Sequence, residues 1–200
     1  MNVRRNVRLA TAGSLLILVG ACSSAPVSGS PVSGSKATAV GTSAPEAAVA
    51  GDIPDSQAFV GYASSDGYSI KVPEGWARLT DGAATVFTDK FKTIRIETIP
   101  APTAPTVDSV KTDLAPVAAS SKGYAAGKIT AVSRKAGPVI TATYTQDSAP
   151  NAVTSKVIRL DVERYVFWKA GKAAAVTLSS AAGSDNVDPW MIVTDGFSWT

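Results

Sequence analysis

The segment from Val157 to Trp168 constrains the fold more than any other. It is long, rich in β-formers and alternating: Ile158, Leu160 and Val162 oppose Arg159, Asp161 and Glu163. A period of two is the signature of a strand with one face buried. Ala170-Gly171-Lys172 then reads as a tight turn, and Ala173 to Ser179 as the returning strand. Strands joined by so short a connection pair antiparallel.

The surrounding sequence agrees with that hairpin. Tyr68-Ser69-Ile70-Lys71-Val72 alternates as a half-buried strand, and Pro73-Glu74-Gly75-Trp76 ends it in a turn. Ala84 to Thr88 and Thr93 to Ile99 read as strands, the latter with Ile94 and Ile96 on one face and Arg95 and Glu97 on the other. After Pro105 the period changes. Thr106 is a candidate N-cap, and Val107, Val110, Leu114 and Val117 fall on one helical face until Pro116 bends or ends the helix. Strands resume at Ile129 to Arg134 and Val139 to Gln146. Asp188 before Pro189 reads as an N-cap with proline at the first helical position, predicting a helix to Asp195 closed by Gly196. The connections are hairpin-length, without crossover helices between successive strands. The expected class is therefore α+β: an antiparallel sheet with helices packed on it.

The chain begins differently. Arg4, Arg5 and Arg8 precede a mostly apolar, uncharged run from Leu9 to Ala21, too short for the ~20-residue helix that crosses a bilayer comfortably. A basic head, a short apolar core and small residues before a cut make a signal peptide. The run ends in Val19-Gly20-Ala21-Cys22, which resembles the lipobox of bacterial lipoproteins. That resemblance implies diacylglyceryl transfer to Cys22 and cleavage before it. Arg4-Arg5 also admits a twin-arginine export signal, although Asn6-Val7-Arg8 fits it poorly, so the export route stays open. The expected organisation is a signal at 1–21, an acylated Cys22 heading a Ser/Gly/Pro/Ala tether over 22–55, and one domain over 56–200. Pro-Val-Ser-Gly-Ser occurs twice in that tether, at 26–30 and 31–35, and the composition cannot bury enough apolar area to fold alone.

Removing the three signal arginines from the 19 basic residues leaves 16, against 16 acidic ones. A balanced chain has no electrostatic footprint for nucleic acid. Nor does it carry a polybasic patch for anionic lipid, so the acyl chains must supply the anchoring. Histidine is absent, and Cys22 is the single cysteine. The usual zinc site, haem ligand and imidazole base are therefore excluded, and so is a Ser-His-Asp triad. No metal or cofactor is expected.

The stretch Tyr68 to Trp76 resembles the aromatic-x-aliphatic-x-Val-Pro-x-Gly-Trp opening of the PsbP/Mog1-like superfamily, including its LpqN/LpqT-type lipoproteins of actinobacteria. Gly196-Phe197-Ser198-Trp199 is similar to the closing aromatic segment of that family. The resemblance covers about 68–199. It implies an α-β-α sandwich around an antiparallel sheet, and a non-catalytic binding or assembly role.

Several residues invite chemistry. Trp76, Trp168, Trp190 and Trp199 could line a groove for sugar or lipid, though core packing is the plainer reading of Trp76 and Trp190. Asp161 and Glu163 share a strand face and have the types needed for glycoside hydrolysis, but they also suit a solvated face beside Arg159. Asp185 and Asp188 flank Asn186 without matching a calcium loop. Ser33-Gly34-Ser35-Lys36 has Ser-x-x-Lys spacing but falls in the tether. The expected function is a lipoprotein on the extracytoplasmic face of the cell membrane that binds or assembles with a protein or lipid partner of the envelope. A small-molecule or lipid carrier with a pocket between sheet and helix is the alternative, and a carboxylate or Ser-Lys hydrolase a further one.

Overall fold

The computed structural model describes residues 51–200. The signal, Cys22, the Ser33–Lys36 pair and most of the tether lie outside them. Ten strands and three helices follow one another: β1 (Phe59–Ser64), β2 (Tyr68–Pro73), β3 (Ala77–Asp81), β4 (Ala84–Asp89), β5 (Lys92–Pro100), α1 (Val107–Asp113), α2 (Ala115–Ser120), β6 (Ala125–Arg134), β7 (Gly137–Asp147), β8 (Arg159–Lys169), β9 (Lys172–Ala181), α3 (Val187–Asp195) and β10 (Ser198–Trp199).

The hairpin expected from Val157 to Ser179 forms the centre. Strands β8 and β9 pair antiparallel from Leu160–Ala181 to Lys169–Lys172, joined by the two residues Ala170 and Gly171. Both take positive φ, 47° and 85°. Two left-handed residues match the twist of the strands they join. The hairpin lies inside a seven-stranded antiparallel sheet of order β3-β4-β5-β9-β8-β7-β6. A second sheet, β1-β2-β10, holds the segment from Tyr68 and the closing Ser198–Trp199, so one expected sheet resolves into two.

Both faces of the large sheet are covered, which makes three layers. On one face Phe87, Ile94, Ile96, Tyr165, Phe167, Val176 and Leu178 pack against Tyr68, Ile70 and Val72 of β2 and against Trp190 and Val193 of α3. On the other, Ile140, Ala142, Tyr144, Leu160, Val162 and Val166 meet Val110 of α1 and Leu114, which joins α1 to α2. Strand β8 therefore turns the odd-numbered Tyr165 and Phe167 one way and the even-numbered Val162 and Val166 the other. The result is the expected α+β sandwich.

Thr106 caps α1 as expected. Its hydroxyl accepts from the Ser109 amide at 3.1 Å, and Ser109 accepts from the Thr106 amide at 2.9 Å. The helical face is broken at Leu114, because Pro116 stands in the first turn of α2. Val107 stays exposed while Val110 and Leu114 are buried.

Two expectations are corrected. The N-cap of α3 is Asn186, two residues before Asp188, and it makes no side-chain cap. Its side chain is committed elsewhere: Oδ1 accepts from the Ile53 amide at 2.7 Å and Nδ2 donates to the Gly51 carbonyl at 3.1 Å. Pro189 is tolerated because the first turn has no intrahelical use for its missing N–H. The folded body also starts before residue 56. Ile53 is 3% exposed within the core shared by β2 and α3, so residues 51–55 belong to the domain.

Candidate functional site

The four tryptophans do not line one groove. Trp190 is buried, and Trp76 packs edge-on against it at 6.4 Å. Trp199 meets Phe197 edge-on at 5.3 Å. Trp168 lies on the opposite face of the sheet, where its indole N–H donates to the Ala101 carbonyl at 2.8 Å. The core-packing reading of Trp76 and Trp190 holds.

Asp161 and Glu163 do come together, in a recess of about 100 Å³ beneath α3 that is also lined by Ser180, Asn186 and Trp190. Each carboxylate is already engaged. Asp161 accepts from the Gly183 amide at 2.9 Å, and Glu163 accepts from the Tyr165 hydroxyl at 2.6 Å. Arg134 closes the network by donating to Tyr165 at 3.2 Å and to Thr194 at 3.0 Å. Burial and the Glu163 carboxylate push Tyr165 up to about 12, which keeps its proton in place. This network fastens α3 to β8. The recess is well below the roughly 300–1,000 Å³ of small-molecule sites, so the carrier's expected pocket between sheet and helix is not formed there.

On the other face Arg95 pairs with Glu97 at 2.7 Å and with Asp81 at 3.4 Å. Arg164 donates to Thr177 at 3.1 Å, and its burial pushes the guanidinium pKa down. The Asp185 amide donates to the Asp52 carboxylate at 2.9 Å. Among the described residues no group of three or more Asp, Glu, His or Cys could hold a metal ion.

A cleft of about 710 Å³ opens at one end of the central strands. Four separate parts of the chain build it: Gly51 to Gln57, the β4–β5 turn, the approach to β8 and the exit from β9. Its lining carries Lys90, Lys92, Lys156 and Arg159 against Asp52 and Asp89, with Phe91 and Ile158 among its apolar residues. Lys92 is only 8% exposed. Its ammonium contacts Asp89 at 3.0 Å and the Asp52 carbonyl at 3.3 Å, and lies 5.8 Å from the centre of the Trp76 ring. Arg159 pairs with Asp147 at 3.1 Å and donates to Thr145 at 2.7 Å. Lys90 and Lys156 are exposed and make no ion pair among the described residues. Sequence reading missed this site. Its one local signal was the basic-aromatic-basic run Lys90-Phe91-Lys92.

No family model and no curated protein matches the sequence. Among solved structures, cyanobacterial PsbP (CyanoP) from Synechocystis sp. PCC 6803 superposes with a TM-score of 0.51 at 18% identity, covering 79% of this chain and 98% of that one. The fold is PsbP-like. LpqN of Mycobacterium tuberculosis, described as involved in cell envelope biogenesis, gives a TM-score of 0.41 at 12% identity, covering 73% of this chain and 92% of that one. No helix among the described residues is long and apolar enough to cross a membrane.

Proposed function

We propose that this chain is a lipoprotein, anchored through Cys22 on the outer face of the cell membrane, whose PsbP-like domain binds an envelope component without transforming it. The lining of the 710 Å³ cleft carries this reading. It contains no hydroxyl, thiol or imidazole. Asp89 is paired with Lys92 and Asp52 holds the Asp185 amide, so neither carboxylate is a free base. Cations beside an apolar floor suit recognition, whereas covalent or general-base chemistry needs a free nucleophile or base.

Two measurements test it. Intact-mass analysis of the native protein should find Cys22 as the first residue with an acyl mass attached, and Cys22→Ala should leave unlabelled precursor when cells are fed a fatty-acid probe. A labelled Cys22→Ala protein would refute the anchor. The acylated protein should retain a component of detergent-solubilised envelope that Lys90→Glu/Lys156→Glu does not retain. That component should be recovered chemically unchanged after incubation. Its conversion to product would refute the non-catalytic reading.

A further inference from the structure

We propose that the cleft binds a single-chain anionic amphiphile, a membrane lipid with a phosphate head and one alkyl chain. This rests on the binding-module reading and names its ligand class.

The buried Lys92 points to an anion. An ammonium has three N–H donors. The Asp52 carbonyl accepts one at 3.3 Å, Asp89 forms an ion pair at 3.0 Å and the Trp76 ring centre lies 5.8 Å away, with no further hydrogen-bond acceptor for the ammonium among the described residues. A buried cation with a donor to spare favours an acceptor that brings charge. Lys90 and Lys156 line the cleft as exposed residues, with no carboxylate partner among the described residues. Lys90 is held at φ 56°, a left-handed conformation uncommon for a residue with a side chain, and Ser155 beside Lys156 is at φ 55°. Four cations against two carboxylates give the lining an excess of positive charge, although the mature chain as a whole is balanced.

The rest of the lining points to an apolar body. Pro54, Phe91, Ile158, Ala181 and Ala182 offer carbon surface beside the cations. A free inorganic anion would leave that surface wet, and a neutral chain would leave the ammonium groups unanswered. A head and tail in one molecule satisfy both.

The covalent path of the chain indicates the source. Gly51 lines the cleft, and 28 residues separate it from Cys22. Even fully extended they span no more than about 100 Å, at ~3.5 Å per residue. A cleft held that close to an acylated residue samples the lipid surface at high effective concentration.

The test uses the native acylated full-length protein reconstituted in phosphatidylcholine vesicles. It is irradiated with dodecyl phosphate carrying a mid-chain diazirine, and separately with dodecyl maltoside carrying the same group. The phosphate probe should label peptides containing Phe91 and Ile158 roughly tenfold more than the maltoside probe, the scale of one hydrogen bond to a charged group. Lys90→Gln/Lys156→Gln should cut phosphate labelling roughly tenfold and leave maltoside labelling unchanged, with an unaltered melting temperature. Should that variant melt early, the phosphate-to-maltoside ratio on the wild type decides alone. Equal labelling by both heads, label confined to other peptides, or complete competition by inorganic phosphate at the probe concentration would each overturn the proposal. If labelling fails while the envelope component is still retained through the two lysines, the ligand class falls and the binding module stands. If the protein isolated from its native membrane is labelled but intact-mass analysis finds no acyl group on its Cys22, the lipid source and the anchor both fall.

Discussion

Phe197 is the residue whose loss should cost this domain most. It is 1% exposed. Its ring stacks on Phe167 at 4.1 Å and on Tyr68 at 5.8 Å, and Trp199 meets it edge-on at 5.3 Å. It thus joins the large sheet, the small sheet and the segment after α3. Truncating a buried phenylalanine to alanine costs about 3–5 kcal/mol, and each aromatic pair adds about 0.5–1.5 kcal/mol beyond area burial. Phe197→Ala should fall at the top of that range, about 5 kcal/mol. At a urea m-value of about 2 kcal/mol/M, the midpoint drops by roughly 2.5 M. The melting temperature drops by about 10–20 °C, at ~2–4 °C per kcal/mol for this size. Urea unfolding followed by tryptophan fluorescence and far-UV circular dichroism measures both midpoint and slope. Phe197→Leu should lose less than half as much, because it keeps apolar bulk. Met191→Ala, on the exposed side of α3, should stay within about 0.5 kcal/mol of wild type. A midpoint shift under about 0.5 M for Phe197→Ala, with unchanged slope, would refute this account of how the two sheets are joined.

Three further outcomes are expected. Gly127 sits where β6 shifts register between Ala126 and Ile129, and a Cβ there would come within 2.6 Å of the Thr143 carbonyl oxygen. Gly127→Ala should therefore destabilise by about 1–3 kcal/mol in the same urea assay, and an unchanged midpoint would contradict the close approach. Tyr165 holds its proton to about pH 12 when folded, whereas the ordinary tyrosine value is 10.0. Between those pH values the folded chain binds more protons than the unfolded one, so stability falls as pH rises; Tyr165→Phe should show a shallower fall there, and equal slopes would sink the reading. Asn186→Ala removes the acceptor of the Ile53 amide and the donor to the Gly51 carbonyl, so amide hydrogen exchange at Ile53 should quicken while that of the β8–β9 hairpin does not; unchanged exchange at Ile53 would show that the cleft wall is held by other means.

What the sequence made legible follows from which faces are buried. Strands β2, β5 and β8 announced themselves because their alternate residues enter the core: Ile70 and Val72, Ile94 and Ile96, Leu160 and Val162. Strands β1 and β3 did not. All five residues of β3 are exposed, and an edge strand with no buried face leaves no period to read. Asp188-Pro189 looked like a helix start because the local chemistry favours it. The true start lies earlier because Asn186 is engaged with Ile53, more than a hundred residues away in the chain. The cleft was hidden for the same reason. Its residues come from four separate stretches, and nothing local distinguishes Lys156 from any surface lysine. The Asp161–Glu163 pair was visible as a pattern, but its role depends on Tyr165 and Gly183 closing on it in space.

The turn that carries the family resemblance and the site that no motif signalled are physically one structure. Trp76 ends Pro73-Glu74-Gly75-Trp76 with its ring between two things: the buried Trp190 of α3 on one side and the Lys92 ammonium on the other. Its contact with Trp190 fixes the ring against the core, and the fixed ring offers its negative face to a cation that would otherwise be costly to bury. Lys92 in turn holds the carbonyl of Asp52, whose carboxylate holds Asp185 just before α3. The turn, the cleft wall and the helix start are therefore linked through one ammonium. That turn leads from β2 of the small sheet into β3 of the large one. The same turn also sets Trp76 against the partly satisfied Lys92 in the lining of the 710 Å³ cleft, whereas beneath α3 Asp161 and Glu163 are already spent on Gly183 and Tyr165.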